Sequence, residues 1–152
     1  MPVEVLGVDH IDVTVGDVAR STAFYDGVLA ELGFRRIPDK NDIIWANAHT
    51  SVGIYPAREP GSSHDRRRVG FHHLALRART RADVDRFHEF LVREGITVLD
   101  APADYPQYGA GYYAVFFADP DGMKLELVHF PWGYWKKVMT DGTDERPRYA
   151  VP

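Results

Sequence analysis

The chain contains no cysteine, which excludes disulfide bonds, thiolate metal sites and a cysteine nucleophile. It also suits a reducing compartment. No apolar run approaches the ~20 residues needed to cross a bilayer as a helix. The opening Met1-Pro2-Val3-Glu4 lacks a basic segment followed by an apolar stretch, so no secretory leader is expected and a cytoplasmic location is. Basic charge is scarce as well. The net charge is −4, and the one dense basic run, Arg66-Arg67-Arg68, sits beside Asp65. That run reads as a solvated loop, with a phosphate-binding patch as the weaker alternative, and neither nucleic acid nor a membrane is expected as partner.

At 152 residues the chain has the size of one domain, and 45% hydrophobic residues is an ordinary globular content. A chain this long buries roughly two-thirds of its unfolded surface and needs no covalent staple.

The sequence repeats itself. Gly7-Val8-Asp9-His10-Ile11-Asp12-Val13-Thr14-Val15 and Gly70-Phe71-His72-His73-Leu74-Ala75-Leu76-Arg77-Ala78 both read Gly-x-x-His-apolar-x-apolar. Each alternates with period two, as a strand with one face on a core does. Ile11, Val13 and Val15 share one face with Leu74, Leu76 and Ala78 as their counterparts. His10, Asp12 and Thr14 share the other, matched by His73, Ala75 and Arg77.

A helix is expected after each strand. Asp17 caps the first, whose stripe is Val18, Ser21, Phe24, Tyr25, Val28, Leu29 and Leu32, and Gly33 stops it. Thr80 caps the second, with Val84, Phe87, Phe90 and Leu91 as its stripe and Gly95 as its stop. Phe24 and Phe87 are separated by the same distance in sequence as His10 and His73. Short strands follow: 34–37, 43–46 and 52–55 in the first half, 97–99, 112–118 and 123–129 in the second. Asp119-Pro120-Asp121-Gly122 forms the last hairpin turn. The fold class is therefore α+β, two βαβββ modules forming a curved mixed sheet. Module one spans about 5–56, a linker about 57–68, module two about 69–130, and an aromatic arm 131–152, all within a single domain. A module of ~60 residues has too thin a core to stand alone.

Leu125 and Leu127 mark the helix-facing side of the last strand, which turns Glu126 to the same inner face as His10 and His73. A carboxylate there is costly unless paired or metal-bound. A lone strand histidine is more often a packed residue than a ligand, and it is the recurrence of the histidine at equivalent positions that raises the metal reading. Two imidazoles and one carboxylate make a facial triad with open coordination positions, a set suited to Fe2+ or Mn2+ and tolerant of Zn2+ or Ni2+.

The paired Gly-x-x-His strands, the Phe24-Tyr25 helix ending at Leu32-Gly33-Phe34, and Phe117-Ala118-Asp119-Pro120-Asp121-Gly122-Met123-Lys124-Leu125-Glu126-Leu127 resemble the vicinal oxygen chelate superfamily. That group includes glyoxalase I, extradiol dioxygenases, methylmalonyl-CoA epimerase, fosfomycin-resistance enzymes and bleomycin-binding proteins. The resemblance covers roughly residues 5–130. It implies one divalent metal ion on His10, His73 and Glu126, and a small substrate that chelates it through adjacent oxygens. Glyoxalase I and epimerase members usually take a fourth ligand from the last strand of the first module. The matching position here is Gly53 or Ile54, and neither can ligate through its side chain. The pattern therefore resembles the three-ligand extradiol dioxygenases, and ring cleavage is the expected reaction. A glyoxalase-like lyase or isomerase, or a thiol transferase, is the alternative. A non-enzymatic antibiotic-binding protein is a further one, which the intact His10/His73/Glu126 set disfavours.

Asp12 shares the phase of His10 and is a candidate to orient a ligand or substrate. Tyr113 is the candidate acid/base, with Tyr55, Tyr112 and Trp132 as pocket residues. Periodicity alone leaves open which of Tyr112 and Tyr113 faces inward. His72 and His129 are out of phase with the ligand set. The aromatic segment 130–139 suits a lid or a contact between copies, and a homodimer is expected because open sheet edges favour pairing.

Overall fold

The computed structural model describes residue 3 and residues 5–38, 41–131 and 133–141. The chain divides into two compact units. One comprises Met1–His64 with Pro120–Gly122, and the other Asp65–Asp119 with Met123–Pro152.

The first unit runs β1 (His10–Val15), α1 (Val18–Glu31), β2 (Arg35–Arg36), β3 (Ile43–Ala46) and β4 (Ser51–Pro56). Its sheet has the order β1-β4-β3-β2. β1 and β4 are parallel, which the intervening helix permits, and the other pairs are antiparallel. Alternation in β1 places Val13 and Val15 in the core and leaves His10, Asp12 and Thr14 exposed. Tyr25, Val28 and Leu29 of α1 are buried with Trp45, Val52 and Ile54 of the sheet. The indole N–H of Trp45 donates to Asp26 at 2.8 Å, and so keeps its polar atom satisfied.

The second unit runs β5 (Leu74–Arg77), α2 (Arg81–Arg93), β6 (Val98–Asp104), a 3-10 turn (Pro106–Tyr108), β7 (Tyr113–Ala118), β8 (Lys124–His129) and α3 (Tyr134–Asp141). Its order, β5-β8-β7-β6, repeats that of the first. The architecture is α+β, two βαβββ-like modules each carrying a mixed four-stranded sheet. Val84, Phe87, Phe90 and Leu91 of α2 are buried, as the helical spacing predicts.

The repeat extends to the helix ends. Asp17 accepts from the Arg20 amide at 3.0 Å, and Thr80 forms a full capping box with Asp83. At the other ends, Gly33 (φ 82°) and Gly95 (φ 67°) adopt the left-handed conformation. Phe34 N donates to Leu29 O, Gly33 N to Ala30 O, Ile96 N to Leu91 O and Gly95 N to Val92 O. That is the same two-bond C-terminal motif in both halves.

β6 is longer than the 97–99 expected. Pro102 argues against a strand in sequence, but β6 is an edge strand, and its register against β7 is irregular on both sides of Asp100. The turn residue Asp121 is buried and belongs to the first unit. Its carboxylate accepts from the Gly16 amide at 2.8 Å and pairs with Arg20.

Candidate functional site

In the second unit β8 is buried along its middle, and Glu126 is only 2% exposed. Its cross-strand neighbours are Ala75 on β5 and Phe116 on β7. Two polar groups reach it. The Tyr112 hydroxyl donates to Oε1 at 2.5 Å, and His73 Nε2 stands 3.2 Å from Oε2. His73 is itself held from behind, with its Nδ1 2.7 Å from Nδ1 of His72. One of these nitrogens must donate and the other accept. When His73 accepts from His72 at Nδ1, its Nε2–H donates to Glu126; when it donates its Nδ1–H to His72, its Nε2 lone pair faces the carboxylate. The latter is the tautomer a metal-binding imidazole needs.

The first unit repeats the arrangement. His10 Nδ1 lies 3.0 Å from Asp9 Oδ1, and His10 Nε2 lies 3.9 Å from Asp12 Oδ2. Here too the preceding residue engages Nδ1 while Nε2 faces a carboxylate. The His10 imidazole is held above its usual pKa, first by the hydrogen bond to Asp9 and then by the charge of Asp12. Asp12 is paired with Gly53 across β1 and β4. Its Oδ1 lies 2.5 Å from where a Cβ on Gly53 would stand, so only glycine leaves room for it. Tyr55, two residues on and on the same face, is 39% exposed, with its ring edge 3.5 Å from that same point.

Of the two tyrosines whose direction periodicity left open, Tyr112 is the one beside Glu126. Tyr113, the acid/base candidate, stands opposite His129 on β8 and points to the helix side. There its hydroxyl donates to Asp85 at 2.6 Å and Arg81 covers its ring at 3.9 Å. That hydrogen bond, above all, raises its pKa. Trp132 lies outside the described residues.

Several neighbours of Glu126 escape a reading by motif. Ala114, Phe116, Val128 and Phe130 form a buried cluster with Tyr105, Tyr108, Tyr112 and Tyr134 packed against it. Tyr105 and Tyr108 come from the end of β6 and the 3-10 turn, a Pro-containing stretch that periodicity does not mark. Lys124 shares the phase of Glu126 and lies over Phe116, 3.7 Å from the ring centre. Its pKa is lowered, chiefly by desolvation. The phase of β8 was the one sequence signal that could have singled it out.

Among the described residues no group of three or more histidine, aspartate or glutamate side chains forms a ready-made metal cage. The donors come as pairs within each unit. Two ligands at right angles on a metal, each at ~2.1 Å, lie about 3.0 Å apart. The 3.2 Å between His73 Nε2 and Glu126 Oε2 matches that spacing. The donor set, neutral imidazole with carboxylate, suits Fe2+, Mn2+, Zn2+ or Ni2+.

Residues 7–127 match the sequence profile of the Glyoxalase/Bleomycin resistance protein/Dioxygenase superfamily. The chain belongs to this superfamily. Its members often bind divalent metal ions, and they act on or sequester small molecules. The chain is similar to the uncharacterized protein YqjT of Bacillus subtilis, with 36% identity over 78% of this chain and 95% of that one. It is 31% identical to the 2-epi-5-epi-valiolone epimerase of an Actinomyces species, over 84% of this chain and 81% of that one. The structure of a superfamily domain from Frankia sp. EAN1pec shares the fold. Its TM-score is 0.69 at 20% identity, over 86% of this chain and 96% of that one. No helix among the described residues is long and apolar enough to cross a membrane.

Proposed function

We propose that this chain is a metal-dependent enzyme that grips a small substrate through two neighbouring oxygens and shifts a proton on it, as an isomerase or epimerase does. In the second unit His73 and Glu126 would hold the metal, and His10 is the histidine donor that the first unit carries at the equivalent position. The observation that carries the reading is Glu126: a carboxylate 2% exposed, paired at metal-ligand spacing with an imidazole whose other nitrogen is already engaged. Burying such a carboxylate costs several kcal/mol that one hydroxyl and one imidazole do not fully offset, whereas a cation does. The Actinomyces relative, an epimerase by name, points to proton transfer as the reaction class.

A divalent ion bound at His73 and Glu126 would supply Lewis acidity toward a substrate oxygen and so favour loss of a proton from the adjacent carbon. The chain's own groups do the rest. Tyr112 keeps a proton at Oη and fixes the plane of the Glu126 carboxylate through it. His72 orients His73. The ring cluster of Tyr105, Tyr108, Phe116 and Phe130 gives an apolar wall that excludes water and strengthens electrostatic interactions beside it.

A second reading, extradiol-type dioxygenation with Fe2+, is favoured by Gly53. This residue brings no side chain to the position where four-ligand relatives carry one, and a three-ligand set leaves room for a catechol and O2. Metal analysis of tag-free protein comes first. Solvent deuterium entering 2-epi-5-epi-valiolone, followed by proton NMR in D2O, would support the isomerase reading. Oxygen uptake with catechols would replace it with the dioxygenase. Protein that takes up none of Fe2+, Mn2+, Zn2+ or Ni2+ overturns both and leaves a ligand-binding protein.

A further inference from the structure

Resting on the proposed function for where the substrate reacts, we infer that Lys124, with Arg66 as a second cation, receives an oxyanion of the substrate, a phosphoryl or carboxylate group, beside Glu126. Every residue concerned belongs to the second unit.

The placement starts from β8. Lys124 and Glu126 are two residues apart, with the buried Leu125 turned the other way between them, so both present to one face of the sheet. On β7 the partner of Glu126 is Phe116 and that of Lys124 is Ala118. The half-buried Lys124 side chain leans over the Phe116 ring, with Nζ 3.7 Å from its centre, which brings the ammonium over the residue paired with Glu126. A ring face contents one side of an ammonium, but three N–H donors still need acceptors. Among the described residues Lys124 forms no ion pair and its Nζ donates no hydrogen bond. Asp100 and Glu126 act on it only through space, and Glu126 is already engaged by Tyr112 and His73.

Other cations gather at the same place. The loop leading into β5 turns on Asp65, whose side chain accepts from the Arg67 amide at 2.9 Å and whose carbonyl accepts from the Arg68 amide at 3.1 Å. That turn brings the Arg66 charge to bear on Lys124, and the charges of Arg66, Arg67 and Lys124 to bear on His72. Among the described residues neither Arg66 nor Arg67 forms an ion pair. The arginines of α2 behave differently: Arg81 pairs with Asp104, Arg86 with Asp83 and Arg93 with Glu94. Cations gathered without a counter-ion repel one another, and burial adds to the cost at Lys124. An oxyanion offsets both, through charge-assisted hydrogen bonds to Nζ and a guanidinium.

The test uses tag-free full-length protein stripped of metal over a chelating resin and titrated calorimetrically, at low ionic strength, with methyl phosphate and with acetate. Wild type should bind, and the tighter of the two anions names the group. Lys124→Gln should weaken that binding by at least about 10-fold, the lower end of what a hydrogen bond to a charged group is worth. Arg66→Gln should weaken it about 3-fold, as befits an exposed ion pair. Lys124→Arg keeps the charge and should retain most of the affinity. Arg93→Gln removes the same charge from α2 and should leave affinity unchanged. The inference is overturned by wild type that binds neither anion, by full affinity in Lys124→Gln or Arg66→Gln, by a loss in Lys124→Arg as large as in Lys124→Gln, or by an equal loss in Arg93→Gln. Titration of Mn2+ into the same wild-type protein reports on the metal reading separately. Mn2+ bound without either anion overturns the inference alone, whereas an anion bound without Mn2+, Fe2+, Zn2+ or Ni2+ overturns the metal reading and leaves an oxyanion-binding protein.

Discussion

Glu126→Gln should make the metal-free protein more stable while destroying its metal site. Glu126 is 2% exposed and is contacted by the Tyr112 hydroxyl and the His73 imidazole. An ionised carboxylate in that position carries an effective burial penalty of several kcal/mol. A charge-assisted hydrogen bond returns about 1.5–3 kcal/mol of it. Glutamine keeps the shape and still accepts from Tyr112, so it loses about 1 kcal/mol of hydrogen-bond strength while removing the penalty. The balance favours the variant by about 2 kcal/mol, or roughly 4–8 °C in melting midpoint for a chain of this size. Calorimetric melts with chelator present measure it. With metal added the order should invert: at 100 times its Kd a ligand stabilises wild type by about 2.7 kcal/mol and leaves the variant where it was. A metal-free variant no more stable than wild type would refute the reasoning, because it would mean that Glu126 is fully satisfied by the protein alone.

The two tyrosines should separate cleanly. Tyr112→Phe leaves a buried carboxylate oxygen without its donor and should cost about 1–3 kcal/mol in urea unfolding, whereas Tyr113→Phe breaks an exposed bond to Asp85 and should leave Mn2+ affinity unchanged. Asp121→Ala strips the Gly16 amide and Arg20 of a buried partner, and should lower stability by about 2–3 kcal/mol in the same assay. Thr80→Ala should cost about 1 kcal/mol through loss of the α2 cap. The Asp83 carboxyl is held below its ordinary value of 3.8, chiefly by the Thr80 hydrogen bond. The carboxylate half of the capping box therefore contributes fully above that pH and fades as pH falls through the lower folded value, so the gap between wild type and Thr80→Ala should narrow in strong acid to what the Thr80 hydroxyl contributes by accepting from the Asp83 amide.

Much of the fold was legible because its signals are local. Period two in residues 10–15, helical spacing from Val84 to Leu91, capping residues at Asp17 and Thr80, and glycines 33 and 95 at the helix ends all act within a few residues of themselves. The repeat told which positions correspond, and the phase of β8 turned Glu126 away from the α2 side. The outcome for Tyr112 and Tyr113 was different. Adjacent strand residues alternate faces, so one of the pair had to meet Glu126, but nothing local says which. The register of β7 on β8, with Tyr113 opposite His129, decided it. β6 runs to Asp104, beyond the 97–99 that local pattern marks, because an edge position tolerates Pro102. Sequence by itself determined which residues carry donors: two histidines at repeated positions, a glutamate in phase, an aspartate two residues beyond His10. Only tertiary structure decided what each donor faces. The lean of Asp12 over Gly53 and the approach of His72 to His73 depend on side-chain direction and on which strands pair, and neither is encoded by spacing along one strand.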